Sequence, residues 1–322
     1  MSRAQSADDV ELLVTAAVMY YEQDASQKQI AEQLGVSRPT VSRLLERARD
    51  QGIVRIEIVP PRVDPELGPR LARLLGLRSV HIASGRANEA EPGPLLAEPL
   101  GVALDEAGLG AGDTLLVSWG RGVYSASKHV RRHLPGVVVA PAMGGNSSDQ
   151  PWFQPNEIVR SFAENLGAQA RYFHAPALVT EPLYASLMHA GELDELLSTW
   201  QGARASLVGV GAWPKPDPTY AAAGFPVDDA ALSGAVGDVA GRSFRIDGTL
   251  VPFTDRRRLL GVTPEQLARV PYSICLAGGV SKTQAAVGAA RAHLYNVLVT
   301  DAATARSMDA FLEAEVLVAA RH

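Results

Sequence analysis

A winged helix-turn-helix at the N-terminus, followed by a larger, mostly parallel α/β domain, is the fold class that this sequence predicts. Three observations carry it. The first sixty residues hold a capped helix-corner-helix pattern, Pro60-Pro61 interrupts the patterns on either side of it, and the remainder alternates short apolar runs with helical stretches. A length of 322 residues suits two units of unequal size, here expected as 1–60 and 61–322. With 47% hydrophobic and 20% charged residues the chain has the composition of a folded protein, which excludes disorder and collagen-like repeats. No apolar run reaches the roughly 18 to 20 residues that span a bilayer, and Asp8 and Asp9 stand where a signal peptide would be basic and then apolar. A cytoplasmic protein with no membrane partner is expected. The single cysteine, Cys275, allows neither an internal disulfide nor a cysteine-based zinc site and reads as a small core residue.

Along the first unit, Val10, Leu13, Val14, Ala17, Val18 and Tyr21 recur at helical spacing, predicting a packed helix over 8–23 capped by Asp8 or Asp9. Ser26 and Gln29 form a capping box, which starts a second helix over Gln27–Leu34. Gly35 supplies a corner, and Ser37 caps a third helix that opens Arg38-Pro39-Thr40, where proline is tolerated in the first turn. Gly52 ends that helix, and the alternation in 53–59 predicts the wing strand. Ser37, Arg38, Thr40, Ser42 and Arg43 fall on or near the exposed N-terminal side of the third helix, with Gln27 at the start of the second. Arginine can bond a guanine edge bidentately, and hydroxyls reach bases or phosphates. The net charge is −5, yet from Val36 to Arg49 four arginines face one glutamate, a local basic stripe of the kind that meets double-stranded operator DNA. A solvated charged face on an ordinary bundle is the plainer reading. The capping box, corner glycine, Ser-Arg-Pro-Thr start and following strand, all in register, argue against it.

Tyr20-Tyr21, Ser26-Gln27, Ile30-Ala31 and the run Leu34 to Leu45 resemble the N-terminal domain of the sorbitol-operon regulator (SorC) family of bacterial transcription factors.

In the second unit a helical pattern over 64–75 is followed by apolar runs at 114–117, 137–140, 205–210, 273–276 and 297–300. Each run leads into a glycine-rich or capped corner. This alternation predicts a parallel sheet whose ligands sit at the carboxyl ends of the strands. Gly120-Arg121-Gly122 between a strand and a helix suits a phosphate or carboxylate. It does not extend to the dinucleotide fingerprint, since Ser125 stands at the last glycine, so no cofactor is expected. Met143-Gly144-Gly145 ends another strand, and Gln154 and Asn156 offer amides suited to sugar hydroxyls. Asp238 reads either as a hydroxyl acceptor or as a turn aspartate, Asp247-Gly248 as a turn, and Asp301 as the N-cap of the last helix. Gly278-Gly279-Val280-Ser281-Lys282 places a lysine in the first turn of a helix, against the helix dipole unless an anion lies between them. Only four of the thirty lysines and arginines are lysines, which singles out the choice at 282.

Ser118 to Arg121, Met143 to Gly145, Asn156 to Ile158, Ala175 to Ala177, Gly237 to Val239, Gly278-Gly279 with Lys282, and Asn296 to Asp301 again resemble the SorC family. The resemblance implies an effector domain like the sugar-phosphate isomerases and deaminases. It also implies a dimeric or tetrameric homo-oligomer that is released from its operator, or rearranged on it, by a sugar, polyol or sugar phosphate. The family commonly carries a threonine where this chain has Gly122. Either Arg121 and Tyr124 compensate for the missing hydroxyl, or the effector is unphosphorylated or bulkier. An isomerase or deaminase with a DNA-binding appendage is the alternative function. Asp149, Glu157 and His174 would be its acid and base candidates, but no spacing pairs them.

Overall fold

The computed structural model describes residues 7–54, 63–146, 148–189, 191, 193–214, 232–252 and 256–319. The chain divides into two compact units between residues 60 and 61.

The first unit holds helices α1 (Ala7–Tyr21), α2 (Gln27–Leu34) and α3 (Arg38–Asp50). The Ser26 hydroxyl accepts the Gln29 amide and the Gln29 side chain accepts the Ser26 amide, closing the capping box that starts α2. Gly35 ends α2 in the left-handed region at φ 64°, and the Ser37 hydroxyl accepts the Thr40 amide to start α3. Leu13, Ile30, Val41, Leu44 and Leu45 close a small core. Each such side chain, when fully buried, contributes roughly 1.5 to 3 kcal/mol. Two details differ from the sequence reading. Val10 and Val14 are exposed, because α1 turns its inner face toward Leu13, Ala16, Ala17 and Met19. Asp9 lies within α1, and its carboxylate accepts Arg47 of α3 at 2.9 Å instead of serving as a cap. The expected wing lies, beyond Val54, outside the described residues. Ile53 and Val54 form a bend packed on the core.

The second unit is built on strands β1 (Ser79–Ala83), β2 (Thr114–Val117), β3 (Val138–Pro141), β4 (Gln169–Ala170), β5 (Leu178–Thr180), β6 (Ala205–Ala212), β7 (Ala235–Val239), β8 (Arg242–Arg245), β9 (Arg257–Leu259), β10 (Tyr272–Ala277) and β11 (Val297–Asp301). The helices are α4 (Leu67–Leu75), α5 (Gly93–Ala107), α6 (Arg121–His129), α7 (Pro155–Leu166), α8 (Glu181–His189), α9 (Asp194–Gln201), α10 (Pro264–Arg269), α11 (Thr283–Arg291) and α12 (Ala302–Ala319). The parallel strands run in the order β1-β11-β10-β6-β2-β3-β4. From β2 the chain builds outward through β3 and β4. It then returns across the sheet to place β6 on the other side of β2 and builds outward again through β10 and β11. The order therefore reverses between β2 and β6, with Val117 opposite Leu207, and a crevice opens at the carboxyl ends of these strands. Ser118 fastens this point: its hydroxyl accepts the Gly209 amide and donates to the Trp119 carbonyl.

β6 runs on past its parallel neighbours, and Val210–Ala212 pair antiparallel with β7, which turns back as β8 through Ala240-Gly241. Both turn residues have positive φ, 49° and 76°, the requirement of a tight two-residue hairpin. Gly237 is needed for close approach, since a Cβ there would lie 2.5 Å from the Gly211 carbonyl oxygen. The hairpin holds Asp238 beside the crevice. The helix expected from residue 64 starts at Leu67, because the Asp64 carboxylate accepts the Glu66 amide and makes a turn first. Cys275 is fully buried, and burial pushes its thiol far above the ordinary range.

Candidate functional site

On the first unit, Ser37, Arg38, Ser42 and Arg43 lie exposed along the N-terminal half of α3, with Thr40 half-buried among them, and Gln27, the first residue of α2, is also half-buried. The stripe of four arginines divides by role. Arg47 is paired with Asp9 of α1, and Arg49 donates to the Tyr21 hydroxyl at 3.3 Å, so these two tie α3 to α1. Arg38 and Arg43 stay on the outer face, where Arg43 is steadied by its Nε at 3.5 Å from the Pro39 carbonyl. Ser37 Oγ and Thr40 Oγ1 are 2.8 Å apart and fix each other. The basic, hydroxyl-bearing turn matches the chemistry of phosphate and base edges.

On the second unit a cleft of about 660 Å³ opens where the strand order reverses. The β2–α6 corner contributes Trp119, Gly120, Arg121 and Gly122; the end of β6 contributes residues 209–212 and Trp213; the hairpin contributes Asp238 and Ala240; and β10 and its following turn contribute Leu276, Gly278, Ser281 and Lys282. Trp152 and Phe153 close one wall, with Phe153 edge-on to Trp119 at 5.3 Å between ring centroids. The Gly120 amide donates to the Trp152 carbonyl at 2.8 Å, which sets that wall against the corner, and the Arg121 guanidinium lies over the Trp152 ring at 4.9 Å. Of the two readings of Asp238, the turn aspartate is seen in the fold. Its buried carboxylate accepts the Gly241 amide at 3.3 Å, which braces the hairpin turn, and the residue also lines the cleft. Arg121 and Lys282 supply positive charge, Asp238 and Glu89 negative charge, and the aromatic rings offer flat apolar faces. This combination suits a small polyhydroxylated molecule whose hydroxyls bond to charged groups and whose C–H faces lie on rings.

Six residues singled out in the sequence thus line one cleft: Gly120, Arg121, Gly122, Asp238, Gly278 and Lys282. Gly145, Gln154 and Asn156 instead line a second depression of about 560 Å³, together with Asn146, His174 and Arg257. There the amides are engaged within the fold. Asn156 bonds both ways to the Phe173 backbone, and the Gln154 side-chain nitrogen donates to the carbonyls of Asn146 and Ser148. The Gly144 and Gly145 amides donate to the Leu260 and Ala175 carbonyls, and a Cβ at Gly144 would sit 2.6 Å from the Pro176 backbone. Gly144 thus serves close chain approach. Tyr124 packs on the core beneath the Lys128 ammonium, 4.0 Å from its ring, and does not line the cleft. The Gly279 amide donates to Asp301, whose carboxylate also accepts Ala303, Thr304 and the Thr304 hydroxyl at the start of α12. Of the candidate acids and bases, Glu157 is paired with Arg160, whose hydrogen bonds hold its carboxyl below the usual range, and neither Asp149 nor Glu157 lines the cleft.

Sequence reasoning missed Glu89, Pro92, Trp152, Phe153 and Trp213. The tryptophans were the available signal: of the four in the chain, three line this cleft. Glu89 lies in a loop without periodicity and carried no signal.

A helix-turn-helix unit joined to a parallel α/β domain with a cleft at its strand reversal defines the class of ligand-responsive transcriptional regulators. Residues 61–308 match the family model described as "Putative sugar-binding domain", and residues 18–51 match region 4 of sigma-70. The sorbitol operon regulator of Klebsiella pneumoniae is 31% identical over 94% of this chain and 98% of its own length. The deoxyribonucleoside regulator of Bacillus subtilis is 30% identical over 92% and 97%. The crystal structure of the full-length sorbitol operon regulator SorC from Klebsiella pneumoniae superposes with a TM-score of 0.67, covering 93% of this chain and 99% of that one. The chain belongs to the SorC family of transcriptional regulators. Among the described residues, no helix is long and apolar enough to cross a membrane.

Proposed function

We propose that this protein is a cytoplasmic regulator of a carbohydrate or polyol operon, acting as a homo-oligomeric repressor whose hold on operator DNA is set by a sugar-type effector and which catalyses no reaction. Ser37, Arg38, Thr40, Ser42 and Arg43 would contact the major groove and its phosphates, with Gln27 flanking them. Pairing of two such units on two half-sites is the reason to expect an oligomer. Arg121, Asp238 and Lys282 would bond to the effector, with Gly122 and Gly278 allowing it close to the backbone.

The observation that carries this reading is the cleft at the reversal between β2 and β6, with aromatic walls and charged groups of both signs. Relatives named for sorbitol and deoxyribonucleosides support the effector class. Relatives named as regulators favour a regulator over an enzyme. A thermal-shift screen of sugars, polyols and their phosphates tests it: at about a hundredfold its dissociation constant, a true effector adds about 2.7 kcal/mol to stability. Asp238→Asn should reduce that gain. An equal response from the variant to every compound would place the effector elsewhere.

A further inference from the structure

The corner that the sequence marks for an anion already holds one belonging to the protein. Glu89 lies in the loop between β1 and α5 and lines the cleft. Its carboxylate accepts the Ser281 hydroxyl at 2.8 Å and the Ser281 amide at 3.4 Å, at the turn leading into α11. The side chain is laid across Gly279, where a Cβ would come within 2.3 Å of Glu89 Cγ. The glycine there, at φ +100°, therefore admits a protein carboxylate.

Two glycine amides that a phosphate would use at this end of the cleft are also committed. The Gly279 amide is given to Asp301 and the Gly120 amide to the Trp152 carbonyl. At Gly122 the family's usual hydroxyl is missing, and packing does not force the loss: the nearest atoms to a Cβ there are 3.6 and 3.7 Å away, ordinary contact distances. The lining charges are balanced, with Arg121 and Lys282 against Glu89 and Asp238. A dianionic guest would upset that balance, whereas a neutral one would not. A carboxylate accepts hydrogen bonds from hydroxyls and has none to give a phosphate.

We propose that Glu89 is a specificity-determining residue that selects an uncharged sugar or polyol over the corresponding phosphate, by holding the place an anionic group would take. This rests on the sugar-type effector reading of the same cleft.

Calorimetric titration of the full chain with matched pairs tests it: sorbitol and sorbitol 6-phosphate, fructose and fructose 6-phosphate, ribose and ribose 5-phosphate, with inorganic phosphate alone as a further probe. In any pair that binds, the wild type should favour the neutral member and should ignore inorganic phosphate. Glu89→Gln should shift the ratio toward the phosphate by about tenfold or more, the scale of a hydrogen bond to a charged group, and should make inorganic phosphate a ligand. If that variant fails to fold, Glu89→Ala carries the same test and should also shift the ratio toward the phosphate. A wild type that prefers the phosphorylated member, or a ratio unchanged in a folded variant, overturns the role of Glu89 while leaving the sugar reading intact. No binding by any pair to either protein overturns the sugar reading and this inference with it.

Discussion

Arg38 and Arg43 stay exposed on α3 while Arg47 and Arg49 bond to α1, a division that the proposed function reads as recognition against scaffolding. Arg38→Ala and Arg43→Ala should each weaken binding to the protein's own promoter DNA by roughly 1 to 3 kcal/mol, with helicity and melting unchanged. Arg47→Ala should instead lower the melting temperature slightly, since a half-exposed pair such as Arg47–Asp9 contributes at most about 1 kcal/mol. Gel shifts at fixed salt and thermal melts separate the two groups. Equal losses of DNA affinity across all three variants would contradict the division. Residue types and turn chemistry made α3 legible: Ser37, Pro39, Gly35 and the arginines mark a capped recognition helix without any tertiary information. That Arg38 and Arg43 face outward was legible from their place on the helix, whereas the bonds of Arg47 and Arg49 to α1 were not, because they depend on where Asp9 and Tyr21 come to lie.

Among the elements, β10 and α5 are joined by a polar cluster at the amino end of the sheet. The Tyr272 hydroxyl donates to Glu106 at 2.6 Å, with His81 at 3.1 Å from the same oxygen and Ser79 at 3.3 Å. Burial alone would raise the Glu106 carboxyl, but the hydrogen bonds from Tyr272 and Ser79 and the charge of His81 outweigh it and leave it below its ordinary value. Burial and the bond to Glu106 push Tyr272 up to about 12. Because the carboxyl is lowered in the folded state, the stability it contributes is present above the usual carboxylate range and is lost as pH falls through the lowered value. Tyr272→Phe should therefore move the Glu106 titration, followed by NMR, back up toward the ordinary value and reduce the acid-side loss of stability. An unmoved titration would show that the bond does not govern it. The strands that sequence patterning foresaw, at 114–117, 137–140, 205–210, 273–276 and 297–300, are those buried on both faces, where a continuous apolar run is diagnostic. β1, β4 and the β7–β8 hairpin were missed because they are short, half-exposed or glycine-bearing. The hairpin mattered most, since it shows why Asp238 borders the cleft. Likewise, Gln154 and Asn156 had the right chemistry for sugar hydroxyls, but only the fold shows their amides spent on backbone groups.

At the scale of the whole molecule, the proposed function links two separately built units through one equilibrium. The segment from residue 61 onward closes its own sheet and core, so expressed alone it should fold, self-associate and bind the effector with the affinity of the full chain, without binding DNA. Insoluble or strictly monomeric material would count against this, as judged by sedimentation and calorimetry. If the cleft and the helix-turn-helix are coupled, the coupling is reciprocal: the factor by which effector changes DNA affinity must equal the factor by which DNA changes effector affinity, typically about 5- to 150-fold. The most direct measurement is fluorescence anisotropy of labelled promoter DNA with the full-length protein, without effector and at saturation, together with effector titrations of free and DNA-bound protein. The expected result is a shift in DNA affinity matched by an equal shift in effector affinity, both reduced in Asp238→Asn at the same effector concentration. DNA affinity that stays the same at saturating effector, with the effector demonstrably bound, would contradict it.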